Sequence, residues 1–204
     1  MNNAKIADHD SLVAVPAHDR RQSKRALTVY KVVKVERKGK EGLARCRNVS
    51  DSGMKLEVGI PVSLNDELLV ELAPQMVLHT RVVWTNGNEC GVAFYRNIDC
   101  TQLLGQSAEL KQQETMRSPR LNSQIPAKIV AEGEVLPTTI KNISQRGMMV
   151  THGGDFRAGM RIKVIMQNGQ NREALVRWTH ENFAGLLLAD PYSVMELSNI
   201  QSIG

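Results

Sequence analysis

Aromatic side chains are scarce, at 4% of the 204 residues, and there are only three cysteines. Cys46, Cys90 and Cys100 are odd in number and widely spaced, which suits neither a disulfide framework nor a zinc site, so reduced core thiols are expected. The five histidines are scattered without an HxxxH or CxxH pair, and no acid, base and nucleophile set clusters; a metal centre and an enzyme are both disfavoured. Apolar runs stay far below the ~18 residues that span a bilayer. Where a secretory signal would be apolar, Met1 to Asp19 carries Asp8, Asp10 and Asp19, so a cytoplasmic protein without membrane attachment is expected. The shortage of aromatics also argues against a base-stacking nucleic-acid platform, the more so if both tryptophans are spent on core packing. With 42% hydrophobic and 23% charged residues, the chain has the composition of a folded protein.

Charge is unevenly placed. Between Arg20 and Arg47 there are eleven Lys or Arg against Glu36 and Glu41, although the whole chain is only +5. An anion-binding region is therefore expected to begin near Arg20.

The sequence repeats itself at a constant offset of 94 residues. Asn48 to Gly53 and Asn142 to Gly147 are both NxSxxG followed by an apolar run; Trp84 falls on Trp178, and Gly91-Val92-Ala93 on Gly185-Leu186-Leu187. Two copies of one small domain follow. The cysteines map to Ile140, Ala184 and Val194, as packing positions should.

Period-two alternation dominates both copies. Leu27, Val29, Val33 and Val35 alternate with Thr28, Lys34 and Glu36, Met54, Leu56 and Val58 with Lys55 and Glu57, and Leu68, Val70 and Leu72 with Glu67, Leu69 and Glu71. Further strands are expected at about 78–84 and 90–94, joined by an Asn-Gly hairpin at Asn86-Gly87. In copy two the scheme recurs at 127–131, 138–142, 148–151, 161–166, 173–178 and 184–189. Five or six short strands per copy predict small closed antiparallel barrels. Asp99 is placed to cap a helix over Cys100 to about Thr115, and Asp190-Pro191 predicts a shorter one through Met195. The expected organisation is a flexible segment 1–18, a first barrel 19–98, a linking helix 99–115, and a second barrel with its C-terminal helix over 116–204.

Two features carry chemistry. Arg20, Arg21 and Arg25 lie on an arm before the first strand, and the spacing of Arg21 and Arg25 puts two guanidinium forks on one side of a turn. Such forks grip phosphate or the O6/N7 edge of guanine, which lysine cannot do in bidentate fashion. A solvated basic arm is the bland alternative. The NxSxxG hexad reads as a turn in which Asn48 and Ser50 bond the backbone locally and Gly53 takes a conformation closed to other residues. Asn48 and Ser50 could also project from a strand end toward a purine edge or phosphate.

The order RxxxR (Arg21, Arg25), NxSxxG (Asn48, Ser50, Gly53), then Val82-Val83-Trp84 and Gly91 to Phe94, resembles the PilZ domain over nearly all of residues 20 to 98. The resemblance implies a mainly all-β protein of two tandem six-stranded barrels, each followed by a helix. It further implies a ligand, cyclic di-GMP, gripped by Arg20, Arg21 and Arg25 and held against Asn48, Ser50 and Gly53. Copy two is similar across about 116–198 but has Met116 in place of the first motif arginine and Arg120 in place of the second. Arg117, Arg120, Asn142, Ser144 and Gly147 thus make at most a weak second site, and a structural or partner-facing copy is expected. The implied function is a non-catalytic cyclic di-GMP receptor acting on a downstream protein in motility, biofilm or exopolysaccharide control. Its rival is an interaction scaffold that binds no nucleotide.

Overall fold

The computed structural model describes residues 27–113, 118–154 and 156–201. The segment expected to be flexible, 1–18, lies outside the described residues, as do Arg20, Arg21, Arg25 and Arg117.

The first six strands are β1 (Leu27–Arg37), β2 (Lys40–Ser50), β3 (Gly53–Val58), β4 (Glu67–Ala73), β5 (Met76–Asn86) and β6 (Glu89–Phe94). They close into an antiparallel barrel in the order β1-β2-β3-β6-β5-β4. Helix α1 (Cys100–Gln113) follows, and then β7 (Leu121–Ala131), β8 (Glu134–Ser144), β9 (Gly147–Thr151), β10 (Arg161–Met166), β11 (Asn171–His180) and β12 (Phe183–Leu188) form the second barrel, with α2 (Val194–Gln201) behind it. Closure removes the free edges that twelve short strands would otherwise expose.

Alternation supplies each core. Val33, Val35, Ala44, Cys46, Leu56, Leu68 and Val70 fill barrel 1, and Ile129, Ile140, Val150, Ile162, Val164 and Val176 fill barrel 2. Each large aliphatic side chain withdrawn from water stabilises the fold by about 1.5–3 kcal/mol. The cysteines are buried core residues, and burial pushes the Cys46 and Cys90 thiols up to about 11. They stay protonated and unreactive near neutrality.

Asp99 caps α1 as expected, its Oδ1 accepting the backbone N–H groups of Thr101 (2.9 Å) and Gln102 (3.0 Å). The second helix corrects the sequence reading. It begins at Val194 rather than at Pro191, because Ser193 and Glu196 form a capping box: Glu196 Oε2 accepts the Ser193 N–H (2.8 Å) and Ser193 Oγ the Glu196 N–H (3.1 Å).

The barrels pack on one another. Leu43 points out of barrel 1 and joins the core cluster of barrel 2, to which α2 contributes Val194, Leu197 and Ile200. Gly59 leaves room for α2, since a Cβ there would stand 1.8 Å from Ser198 Oγ. At the margin, Glu41 accepts Asn122 N–H (2.9 Å) and Nδ2 (3.2 Å) across the interface, while Lys34 reaches Glu41 (3.1 Å) and Glu71 (3.3 Å). Burial opposes the charge on both groups, yet these partners prevail, raising the Lys34 pKa and lowering that of Glu41.

Pairing of this kind also disperses the basic run. Arg37 meets Asp66 at 2.7 Å, and Arg45 and Arg47 share Glu57, so part of the strand charge is offset on the barrel itself.

Candidate functional site

Period-two alternation alone would turn Asn48 and Trp84 inward. Cys46 and Val82 are buried, and the residue two positions on should share their side of the strand. A β-bulge between Cys46 and Asn48 and another between Val82 and Trp84 break the phase. Asn48 and Trp84 therefore emerge on the outer surface, and Trp84 is 41% exposed. The same bulges stand between Ile140 and Asn142 and between Val176 and Trp178, and Trp178 is 40% exposed. The expectation that both tryptophans pack in the core is thus corrected, and with it one of the two reasons for setting nucleic acid aside.

Asn48, Ser50, Gly53, Lys55, Trp84 and Gly91 line a shallow open cleft of about 380 Å³ on the β3-β6 face of barrel 1. Trp84 lies across Gly91: a Cβ at Gly91 would come within 1.9 Å of the indole Nε1, so no other residue fits beneath the ring. Lys55 Nζ sits 6.0 Å from the Trp84 ring centroid and pairs with Glu89 at 2.9 Å. The cleft offers a hydroxyl, an amide, an ammonium and a flat aromatic surface, which suits a planar heterocycle bearing hydrogen-bonding edges.

Local geometry around the hexad is partly as expected and partly different. Ser50 Oγ donates to the Gly53 carbonyl at 3.3 Å, the anticipated local bond. Gly53, however, is not among the residues with positive φ. Its lack of a side chain answers a steric demand instead, since a Cβ would stand 2.1 Å from the Val92 carbonyl oxygen of the adjacent strand. Between Ser50 and Gly53 the loop is tied down from outside the motif. Asp51 accepts the Ile98 N–H on its carbonyl (2.9 Å) and the Cys100 N–H on its carboxylate (3.1 Å), joining the hexad to the start of α1.

In barrel 2 the structure brings Arg120, Asn142, Ser144 and Gly147 together. Ser144 Oγ again donates to the glycine carbonyl, at 3.1 Å, and a Cβ on Gly147 would stand 2.6 Å from the Leu186 carbonyl. Trp178 covers Gly185 as Trp84 covers Gly91. Here the motif asparagine is already engaged: its Oδ1 accepts from Arg120 Nη1 (3.3 Å) and its Nδ2 approaches the Met149 sulfur (3.7 Å). Strand register also refines the alignment of the arms. Leu27 opposes Val49 and Leu121 opposes Ile143, so Arg120 holds the position of Ala26, one residue nearer the strand than Arg25.

Lys55, Trp84 and Gly91 escaped the sequence reading as site residues. The signal was present in the repeated Trp and Gly at one offset, but the bulges that turn the ring outward leave no mark in composition. Among the described residues no group of His, Cys, Asp or Glu could hold a metal ion, and no helix is long and apolar enough to cross a membrane.

Comparison with known proteins places these features in context. The sequence model of one family, described as the PilZ domain, matches residues 19–109 and 114–189. No curated protein matches the sequence. Among solved structures, the PlzA protein of Borreliella burgdorferi in complex with c-di-GMP is 12% identical, with a TM-score of 0.38 over 84% of this chain and 87% of that one. The inhibitor of motility MotI/DgrA of Bacillus subtilis is 14% identical, with a TM-score of 0.36 over 87% and 97%. YcgR from Escherichia coli in complex with c-di-GMP is 12% identical, with a TM-score of 0.31 over 84% and 81%.

Proposed function

Because the chain belongs to the PilZ domain family, whose members are typically non-catalytic receptors, we propose that it is a cytoplasmic cyclic di-GMP receptor that reads the ligand with barrel 1 alone. In this reading residues 19–98 form the receptor unit, 99–115 the link and 116–204 the second unit. The observation that carries it is the cleft in which Asn48, Ser50 and Gly53 stand beside Lys55 and the exposed ring of Trp84. The amide and hydroxyl meet a guanine edge, the indole offers it a stacking face, and Arg20, Arg21 and Arg25 close over the phosphates from the arm. Arginine is required there because two planar forks satisfy phosphate and guanine together, while a lysine supplies charge without the fork.

Closure of the arm changes the surface that a downstream protein meets, the route by which such a receptor would act on motility, biofilm or exopolysaccharide. Barrel 2 has neither motif arginine in register, with Pro119 standing at the position of Arg25, and has its asparagine bonded to Arg120, so it takes no nucleotide. Calorimetric titration of the full chain with cyclic di-GMP tests this reading. Saturable binding is expected, weakened at least tenfold, or about 1.4 kcal/mol, by Arg21→Ala or Arg25→Ala and also reduced by Arg→Lys at either position. Absence of heat with the parent protein would leave the scaffold reading in its place.

A further inference from the structure

The two barrels differ most on the face described above. In barrel 1 one rung of outward residues runs from Glu67 through Arg81 to Ala93, and the next holds Trp84, Gly91 and Lys55. Equivalent pairings in barrel 2 join Arg161, Leu175 and Leu187, and then Trp178, Gly185 and Met149. Both cations inside the face have become apolar, Arg81 as Leu175 and Lys55 as Met149, and Ala93 has grown to Leu187.

The result is a flat apolar platform. Trp178 is pressed onto Gly185 and remains 40% exposed, as does Leu187 at 40%. Exposed Trp and Leu beside a half-buried Met mark an interaction site, because covering them recovers hydrophobic stabilisation that the isolated chain forgoes. With the equivalents of Lys55 and Arg81 gone, no cation is left inside the face and its positive charge moves to the border. At the border stand Arg161 and Arg177, both exposed, and among the described residues neither is within ion-pair distance of a carboxylate. A second copy docking face to face would bring these arginines toward their own equivalents, which like-charge repulsion opposes.

We propose that this face of barrel 2 docks a segment of a protein partner that carries apolar anchors flanked by Asp or Glu. The anchors cover Trp178, Met149 and Leu187, and the carboxylates meet Arg161 and Arg177. This assignment is independent of the ligand proposed for barrel 1, since it uses no residue of that cleft.

The test selects short random displayed peptides on the immobilised full chain and measures the recovered peptides by fluorescence polarisation. Selected sequences should be rich in Asp and Glu with Leu, Phe or Trp. Their affinity should fall at least tenfold for Leu187→Asp, the size seen when an interface anchor is lost, and more modestly for Arg161→Glu, with a shallower salt dependence. Arg161→Glu alters only an exposed strand position and keeps the test decisive should Leu187→Asp fail to fold. Titration of barrel 1 with cyclic di-GMP should be unchanged in either variant. Recovery of basic or neutral peptides, or equal affinity for parent and variants, would overturn the proposal. So would a concentration-dependent dimer that Leu187→Asp abolishes, which would give the face to a second copy.

Discussion

In barrel 1 Asn48 and its cross-strand partner Lys55 line an open cleft with Trp84; in barrel 2 Arg120 and the Met149 sulfur occupy the equivalent amide of Asn142. Much that shapes the hexad is kept in both copies: the serine bond to the glycine carbonyl, the absent Cβ under the neighbouring carbonyl, the tryptophan over its glycine, and the bulges that aim them. What changes is the chemistry that such a scaffold presents. The comparison separates two roles of the motif that one copy alone would confound. Ser50 and Gly53 have a structural task that survives in Ser144 and Gly147, so a hexad by itself does not announce a ligand.

The largest effect should come from the glycines. Gly53→Ala drives a methyl into the Val92 carbonyl, a backbone atom that cannot swing aside, and should destabilise the protein by about 3 kcal/mol. Gly147→Ala, with 2.6 Å rather than 2.1 Å to the facing carbonyl, should cost somewhat less, about 2 kcal/mol. Denaturant unfolding of both variants checks the order. Stability unchanged in both would remove the steric account of the motif.

Next in size is the contrast in ligand binding. Asn48→Ala should weaken cyclic di-GMP binding by about 1 kcal/mol, the scale of one hydrogen bond, while Asn142→Ala should leave it unchanged. Equal losses measured by titration would make barrel 2 a second ligand site and erase the distinction drawn between the copies.

The smallest expected effect lies between the barrels. Glu41 has a lowered pKa in the folded protein, so the stability it contributes is complete above the ordinary carboxylate range and is lost as pH falls through its lowered value. Lys34 has the opposite sign: its contribution is present below the ordinary lysine value and is lost as pH rises through the raised one. Glu41→Gln should therefore flatten the acid limb of a stability-against-pH curve by about 0.5–1 kcal/mol, since these groups are partly exposed to solvent. An acid limb identical to that of the parent would show that the Glu41 to Asn122 contact does not hold the barrels together.

Much of this is legible in the sequence. The offset of 94 residues, the strand alternation, the capping of α1 by Asp99 and the buried cysteines all rest on local spacing and side-chain type. The start of α2 was legible too, in Ser193 and Glu196, but Asp190-Pro191 offered a competing start three residues earlier. The outward turn of the tryptophans escapes a local reading for a different reason. A bulge shifts a strand by one residue relative to its neighbour, and the phase of Trp84 depends on where β6 lies, not on the residues beside it.

That division follows the range of the forces involved. Alternation, capping and turn formation act within a few residues, and so the sequence by itself determined two β-barrels of one family, each with a helix behind it. Whether Gly53 was needed for its φ or for the approach of Val92, and whether Trp84 faced core or solvent, depended on strands distant along the chain. So did the matching of the basic run by Asp66, Glu57 and Glu71, and the joining of Leu43 to the core of the second barrel. Only the tertiary structure decided these, because close packing sets which atoms share a space, and that is a property of pairs the sequence holds far apart.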